Sequence, residues 1–194
     1  MMLRETIDNQ DLNSLPKGEF TGTIKVIDTP AQIEQVIPEI VINKVLGFDT
    51  ETKPAFKKGS HHEVSLLQLS NNDTAWLFRL HLSGFSPSLA KLMAEPSILK
   101  VGAAILDDVR GLKKLRPFVD KGFVDLQKMV EAYGVKEKGV KKMAGIFLDM
   151  HISKRQRLTN WETSELTEAQ LRYAATDAWV CLEIYQKMLP IQKS

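Results

Sequence analysis

The sequence is poor in cysteine and has no long apolar run. Cys181 is the single cysteine among 194 residues, so the chain can form neither an internal disulfide nor a metal cluster built on thiolates. This composition favours a reducing compartment, and we expect an intracellular, cytoplasmic protein. No stretch reaches the roughly 20 apolar residues of a membrane-spanning helix, and residues 1–15 are too polar for a signal peptide. We therefore expect no membrane partner.

The signatures of several other enzyme classes are also missing. The chain contains no Gly-x-Ser-x-Gly elbow, no glycine-rich phosphate loop and no pairing of cysteine with histidine. These absences argue against a small-molecule hydrolase that uses a nucleophilic side chain. The formal net charge of +2 is mildly basic, which permits a polyanionic partner without requiring one.

The chain does contain a regular alternation of apolar strands and helices. The β-rich segments are 21–27, 45–48, 64–69, 75–80, 98–105 and 123–124. The helical segments are 30–40, 86–94, 107–115, 126–133, 140–148 and 167–189. This alternation predicts an α/β fold, and the run of three early strands predicts a mixed sheet. We expect one domain over 20–190, an N-terminal tail over 1–19 and a short C-terminal tail over 191–194.

Two carboxylates, Asp49 and Glu51, follow the apolar strand at 45–48. Residues two apart on a strand point to the same face, so these side chains lie next to each other. Carboxylates this close repel unless a proton or a cation relieves them, and Mg²⁺ or Mn²⁺ is the natural partner for oxygen ligands. Taken alone, the pair is more simply explained as two solvated acids in a turn.

A third acid, Asp108, follows another strand. Taken alone, it could simply favour the dipole of the helix that begins there, with Asp107 as the cap. A fourth acid, Asp177, lies on the long helix at 167–189, one turn after Tyr173 and on its apolar face. Burying that carboxylate without a partner would be costly. Four acids and a phenol in this arrangement suit phosphodiester hydrolysis with two metal ions.

The sequence resembles the DEDD exonucleases of the DnaQ-like, ribonuclease H-like superfamily, in the branch that carries a tyrosine and includes ribonuclease D and the Werner exonuclease domain. The first motif is matched by 47–51, Gly-Phe-Asp-Thr-Glu. The second is matched by 100–108, which ends in Asp-Asp. The third is matched by 166–178, Leu-Thr-Glu-Ala-Gln-Leu-Arg-Tyr-Ala-Ala-Thr-Asp-Ala. The likeness covers nearly the whole chain.

This resemblance implies a mixed five-stranded sheet with helices on both faces, and a 3′-5′ exonuclease that uses two Mg²⁺ or Mn²⁺ ions. It implies that Asp49 bridges both ions and that Glu51 and Asp177 hold the ion that activates water. Asp108 would act on the second ion through water, and Tyr173 would orient the attacking water. Asp107, beside Asp108, is expected to be a cap or a supporting group.

Several residues are candidates for binding the nucleic acid. Basic side chains in a loop and before the third motif could contact phosphates, although such residues are often only solvated. An aromatic side chain could stack on a terminal base, and two residues of the strand at 64–69 could contact the substrate or be plain strand residues. The candidates are Phe56, Lys57, Lys58, Leu66, Gln68, Lys154, Arg155 and Arg157.

Two functions of different classes fit the sequence. The first is an exonuclease acting on the 3′ end of DNA or RNA, and the second is a catalytically silent nucleic-acid-binding domain of the same fold. Loss of a metal-binding carboxylate would favour the second, and all four carboxylates are present. The sequence leaves open the choice between DNA and RNA, because the metal site serves both, and it leaves open the oligomeric state.

Overall fold

The computed structural model describes residues 3–54 and 62–191. Its centre is a mixed sheet with the strand order β1-β4-β3-β2-β5-β6. The strands are β1 (Thr23–Ile27), β2 (Val45–Thr52), β3 (Val64–Ser70), β4 (Thr74–Arg79), β5 (Leu99–Gly102) and β6 (Phe123–Asp125). The β2–β3 and β3–β4 pairs are antiparallel, and the other three pairs are parallel. The predicted mixed α/β sheet is confirmed, with six strands rather than the five that the resemblance implied.

Eight helices accompany the sheet within the described residues. They are α1 (Asn9–Ser14), α2 (Pro30–Ile40), α3 (Leu80–Ser83), α4 (Pro87–Ala94), α5 (Leu106–Leu115), α6 (Leu126–Met129), α7 (Val140–Leu148) and α8 (Glu168–Met188). The predicted helix at 126–133 divides into α6 and a 3₁₀ turn, Val130–Tyr133, which Gly134 ends at φ +74°. Across the two described stretches, none of these helices has the length and apolar character needed to traverse a bilayer.

The helices cover both faces of the sheet, as the resemblance implied. On one face, α2, α4 and α5 bury a core with the sheet residues Ile27, Leu46, Phe48, Leu67, Leu69, Trp76 and Phe78. On the other face, α8 crosses the central strands with α7 packed beside it. A Cβ atom on Gly47 would lie 2.0 Å from the carbonyl oxygen of Ala178, so glycine lets α8 approach β2 closely. This contact brings the middle of α8 against β2 at Gly47, two residues before Asp49.

The N-terminal segment is not the tail that the sequence predicted. Its helix α1 packs on α7, and Ile7 and Leu12 are 3% and 1% exposed. A Cβ atom on Gly145 of α7 would lie 2.6 Å from a methyl group of Leu12. Farther along, the amide of Phe20 donates to the Thr176 hydroxyl of α8 at 3.0 Å. The apolar residues of this segment are too widely spaced to predict that burial without knowledge of α7.

Candidate active site

Strand β2 places two carboxylates beneath α8. The strand continues through Thr52, beyond the predicted end at residue 48, so Asp49 and Glu51 lie within it. Because strand residues alternate between faces, Phe48 enters the core on the far side while Gly47, Asp49 and Glu51 face α8. The sequence therefore predicted the pairing of the two acids correctly, although not their position inside the sheet.

Helix α8 supplies the third carboxylate. Thr167 caps the helix by accepting from the amide of Gln170, whose side chain bonds back to the Thr167 amide. Carboxylate oxygens of Asp49, Glu51 and Asp177 all lie within 4.8 Å of one another. The structure thus brings together acids that are more than a hundred residues apart in the chain.

Burial and mutual repulsion make this three-carboxylate cluster hard to ionise. Burial raises the pKa of Asp49 well above its usual range, and the neighbouring carboxylates raise it further. Burial also raises the pKa of Glu51 to about 8. It raises the pKa of Asp177 to about 6, although a hydrogen bond from Tyr173 and the charge of Lys154 act in the opposite direction. The oxygen donors, their spacing and their repulsion fit a hard divalent cation.

Asp108 lies near this cluster but makes a different contact. The Thr50 hydroxyl, on the opposite face of β2 from Asp49, donates to the Asp108 carboxylate. Burial raises the pKa of Asp108. Asp107 is not the helix cap, since α5 begins at Leu106, and its side chain is 92% exposed. Asp108 is thus the less exposed of the two acids, and its partner Thr50 is a residue that the sequence did not single out.

The turn before α5 is held by Asp125, at the end of β6. Its Oδ1 accepts from the amide of Ala104 and from that of Gln127, both at 3.0 Å. Ala104 has φ +60°, a left-handed conformation uncommon for a residue with a side chain. The predicted strand at 98–105 is shortened to four residues because the chain turns here. Asp125 thereby fixes the start of the helix that carries Asp108.

Tyr173 lies beside the three-carboxylate cluster with its ring against that of Trp161, at 6.0 Å between centroids. Burial raises the pKa of its phenol, and the charges of Asp177, Glu51 and Asp49 add to the effect. The hydroxyl group therefore stays protonated throughout the neutral range. It is suited to hold a water molecule and not to act as a strong base.

Two candidates for substrate contact are corrected by the structure. Leu66 and Gln68 of β3 are completely buried, so a nucleotide cannot contact them in this conformation. Leu66 packs with Trp161 and Tyr173 and supports the site from below. Gln68 lies opposite Asp49 in the β2–β3 ladder. The nitrogen and oxygen of its side-chain amide have no hydrogen-bond partner within the described part of the chain. Their burial follows from α8 lying across β3.

The basic candidates fall into three groups. Lys154 and Arg157 line the pocket that contains the three carboxylates, which has a volume of about 210 Å³. Arg155 is exposed and lines a second, larger cavity. The remaining candidates, Phe56, Lys57 and Lys58, lie outside the described residues. Contact between these side chains and a substrate stays a prediction.

The segment between α7 and α8, which carries the basic side chains, is anchored by contacts that the sequence did not reveal. Glu162 accepts from Lys53 at 3.1 Å and from Ser65 at 3.0 Å. The side-chain amide of Gln170 donates to the Thr159 hydroxyl at 3.2 Å and to the carbonyl of Asn160 at 3.1 Å. Because Lys53 follows Glu51 by two residues, the Glu162 contact joins this segment to the end of β2.

Comparison with known proteins places this site in a family. A family model described as 3′-5′ exonuclease matches residues 24–192. The chain is 36% identical over 149 residues to exonuclease 3′-5′ domain-containing protein 2 of Drosophila melanogaster, covering 75% of this chain and 25% of that protein. It is 32% identical over 192 residues to the bifunctional 3′-5′ exonuclease/ATP-dependent helicase WRN of Mus musculus, covering 91% of this chain and 13% of that protein.

A solved structure shares the fold. Ribonuclease D of Escherichia coli superimposes with a TM-score of 0.77 at 21% identity, over 87% of this chain and 44% of that one. The chain spans a quarter or less of the length of the two relatives above. The family model matches nearly all of the chain, including every acid of the site. The chain belongs to the 3′-5′ exonuclease family.

Proposed function

We propose that this chain hydrolyses phosphodiester bonds at the 3′ end of a nucleic acid in a reaction that depends on divalent metal ions. The observation that carries the proposal is the three-carboxylate cluster, whose oxygens lie within 4.8 Å of one another. Burial is the main reason that the pKa values of Asp49 and Glu51 are raised, and the neighbouring carboxylates raise them further. Such a cluster costs folding free energy and is best explained by a ligand that restores its balance of charge.

The residues that would hold the metal follow from their positions. Asp49, Glu51 and Asp177 would bind one Mg²⁺ or Mn²⁺ ion. Asp108, which lies in α5 and whose charge raises the pKa of Asp49, would serve a second ion through a water molecule, with Asp49 shared between the two. When bound, such ions lower the pKa of water and stabilise negative charge on the leaving oxygen.

The other side chains of the pocket would position the reactants. Tyr173 keeps its proton, so its hydroxyl can hold and orient a water molecule beside Asp177. Lys154 and Arg157 share the pocket with the carboxylates and supply positive charge. They would bind the oxygens of the phosphate that is attacked. The substrate in this proposal is a single strand of DNA or RNA with a free 3′ end.

Digestion of end-labelled strands tests the proposal. Single-stranded DNA, single-stranded RNA and a recessed duplex are each incubated with Mg²⁺, Mn²⁺ or EDTA. We expect a ladder that shortens from the 3′ end, requires metal and shows which sugar is preferred. Absence of a ladder on every strand, with the protein folded and metal present, would contradict the proposal.

Substitution of Asp49 gives the largest expected effect on activity. Asp49→Asn removes one charge from the three-carboxylate cluster at nearly constant volume. We expect the rate of strand shortening to fall on the order of 10²–10³-fold or more, as when a preorganised electrostatic group is lost. Asp107→Asn is the matched control, because that acid is exposed and lies outside the pocket. Equal activity of the two variants would remove Asp49 from the mechanism.

A further inference from the structure

A second cavity opens beside the carboxylate pocket, on the side where the N-terminal segment meets α8. Its volume is about 580 Å³, compared with about 210 Å³ for the carboxylate pocket. The two cavities are neighbours, because Lys154 and Tyr173 line both of them. We name it the basic trough, after its lining residues Lys17, Lys141, His151, Lys154, Arg155 and Arg172.

The basic trough carries positive charge that the protein does not neutralise. The one carboxylate in its lining, Glu19, already pairs with Lys17. Arg172 pairs with Glu168, one turn earlier on α8. The three remaining cations, which have no carboxylate partner among residues 3–54 and 62–191, are Lys141, Lys154 and Arg155. An uncompensated row of this kind attracts a polyanion.

The walls of the basic trough are held by backbone hydrogen bonds. The amide of Gly18 donates to the carbonyl of His151 at 2.8 Å, and the amide of His151 donates to the carbonyl of Pro16 at 3.0 Å. The N-terminal segment is thus fastened to the segment that follows α7. Residues of α8 form the floor, where the Thr176 hydroxyl accepts from the amide of Phe20. Because the walls are formed in advance, a ligand would lose little free energy in ordering them.

We infer that the basic trough binds the phosphates of the nucleotides that lie immediately 5′ of the bond being cleaved. The inference rests on the proposed function, since a strand whose 3′ end reaches the carboxylates must leave the pocket along some path. The basic trough adjoins the pocket at Lys154 and Tyr173, which line both, and it carries charge opposite to that of the strand. Its volume falls within the roughly 300–1,000 Å³ typical of sites for ligands of nucleotide size.

Equilibrium binding tests this inference without any catalysis. The double variant Lys141→Gln/Arg155→Gln is compared with Lys91→Gln/Lys114→Gln, which removes two exposed lysines from α4 and α5 on the other side of the sheet. Binding of a fluorescent single-stranded oligonucleotide of a dozen residues is measured in EDTA over a range of salt. The slope of log Kd against log salt should fall by about 1.4 in the first variant, since each lost contact to a single strand removes about 0.7.

Turnover of a long and a short substrate provides a second readout. The ratio of kcat/KM for the same oligonucleotide to kcat/KM for a dinucleotide should fall about tenfold in Lys141→Gln/Arg155→Gln and stay unchanged in the control pair. An unchanged salt slope, or an equal loss on both substrates, would overturn the inference. If the wild-type protein cleaves neither substrate while the salt slope still falls, the proposed function fails and the inference about binding stands. Thermal melting of both double variants checks that they are folded.

Discussion

Two of the buried charged sites in the described residues, Lys100 and the three-carboxylate cluster, are treated by the protein in opposite ways. Lys100 of β5 is completely buried, and its Nζ donates to the carbonyl oxygens of Glu95, Ile98 and Lys121 at 2.7–2.8 Å. Its ammonium group also lies 5.0 Å from the centre of the Phe123 ring. Burial lowers the pKa of Lys100 to about 8, so the group is still largely cationic at neutral pH. The protein itself satisfies this charge.

The three-carboxylate cluster one strand away receives no such compensation. No lysine or arginine in the described part of the chain forms an ion pair with Asp49, Glu51 or Asp177. The difference shows which charge belongs to the fold and which to the function. A structural charge is satisfied by groups that fold with it, whereas a functional charge is left for a ligand to satisfy.

Removal of the buried lysine should have the largest effect on stability. Lys100→Met keeps the length of the side chain but leaves three carbonyl groups, one of them fully buried, without this donor. We expect the free energy of unfolding to fall by about 3 kcal/mol, in the range found when one partner of a buried charged contact is removed. Chemical denaturation in EDTA measures the change, with Lys114→Met, an exposed lysine, as the control. A loss as small as that of the control would show that the three carbonyl contacts do not stabilise the fold.

Stability without metal should fall as the pH rises. The pKa of Glu51 is about 8 in the folded protein and 4.5 in its ordinary state, so the folded protein binds more protons between these values. The contribution of Glu51 to the free energy of unfolding is therefore fully present below about pH 4.5 and is lost as the pH rises through 8. A shift of even one pKa unit corresponds to about 1.4 kcal/mol.

The measurement is the midpoint of thermal unfolding from pH 5 to pH 8, in EDTA and in Mn²⁺. Mn²⁺ should raise the midpoint more at pH 8 than at pH 5, because the metal binds deprotonated ligands. A midpoint in EDTA that does not decline between these values would show that burial and mutual repulsion do not hinder ionisation of the carboxylates as their positions indicate. The same result would weaken the contrast between Lys100, whose charge the protein satisfies, and the three carboxylates, whose charge it does not.

The smallest expected effect on stability is an increase, opposite in sign to the effect of Lys100→Met. Asp177→Asn removes one of the three repelling charges, so the variant should be more stable than the wild type in EDTA at pH 8, by about 1 kcal/mol. The same substitution should abolish the stabilisation by Mn²⁺. Asp73→Asn, on an exposed turn, is the control. Destabilisation by Asp177→Asn would mean that this carboxylate supports the fold as well as the site.

Local patterns in the sequence were enough to predict some parts of the site. The alternation of a strand placed Asp49 and Glu51 on one face, and helical spacing placed Tyr173 and Asp177 on another. The cap at Thr167 also follows from local sequence, since its partner Gln170 is three residues away. These features depend on neighbours within a turn or a strand, so they could be read before the fold was known.

Other parts depend on contacts between distant segments. Thr50 was overlooked because its partner Asp108 is 58 residues away. Leu66 and Gln68, candidates for substrate contact that could also be plain strand residues, are buried because α8 covers β3. The N-terminal segment is predicted by its sequence to be a tail, and it packs because Gly145 of α7 has no side chain and leaves room for Leu12.

The sequence by itself determined that Asp49 and Glu51 share one face of a strand and that Tyr173 and Asp177 share one face of a helix, because strand and helix periods are properties of a few consecutive residues. Only the tertiary structure decided that α8 lies close enough to β2 for Asp177 to meet Asp49 and Glu51. It also decided that Asn13 and residues 17–19 complete the wall of the basic trough beside them. The physical reason is that both arrangements depend on the packing of segments far apart in the chain. Helix α8 approaches β2 closely because Gly47 has no side chain, and main-chain hydrogen bonds join the N-terminal segment to the segment after α7.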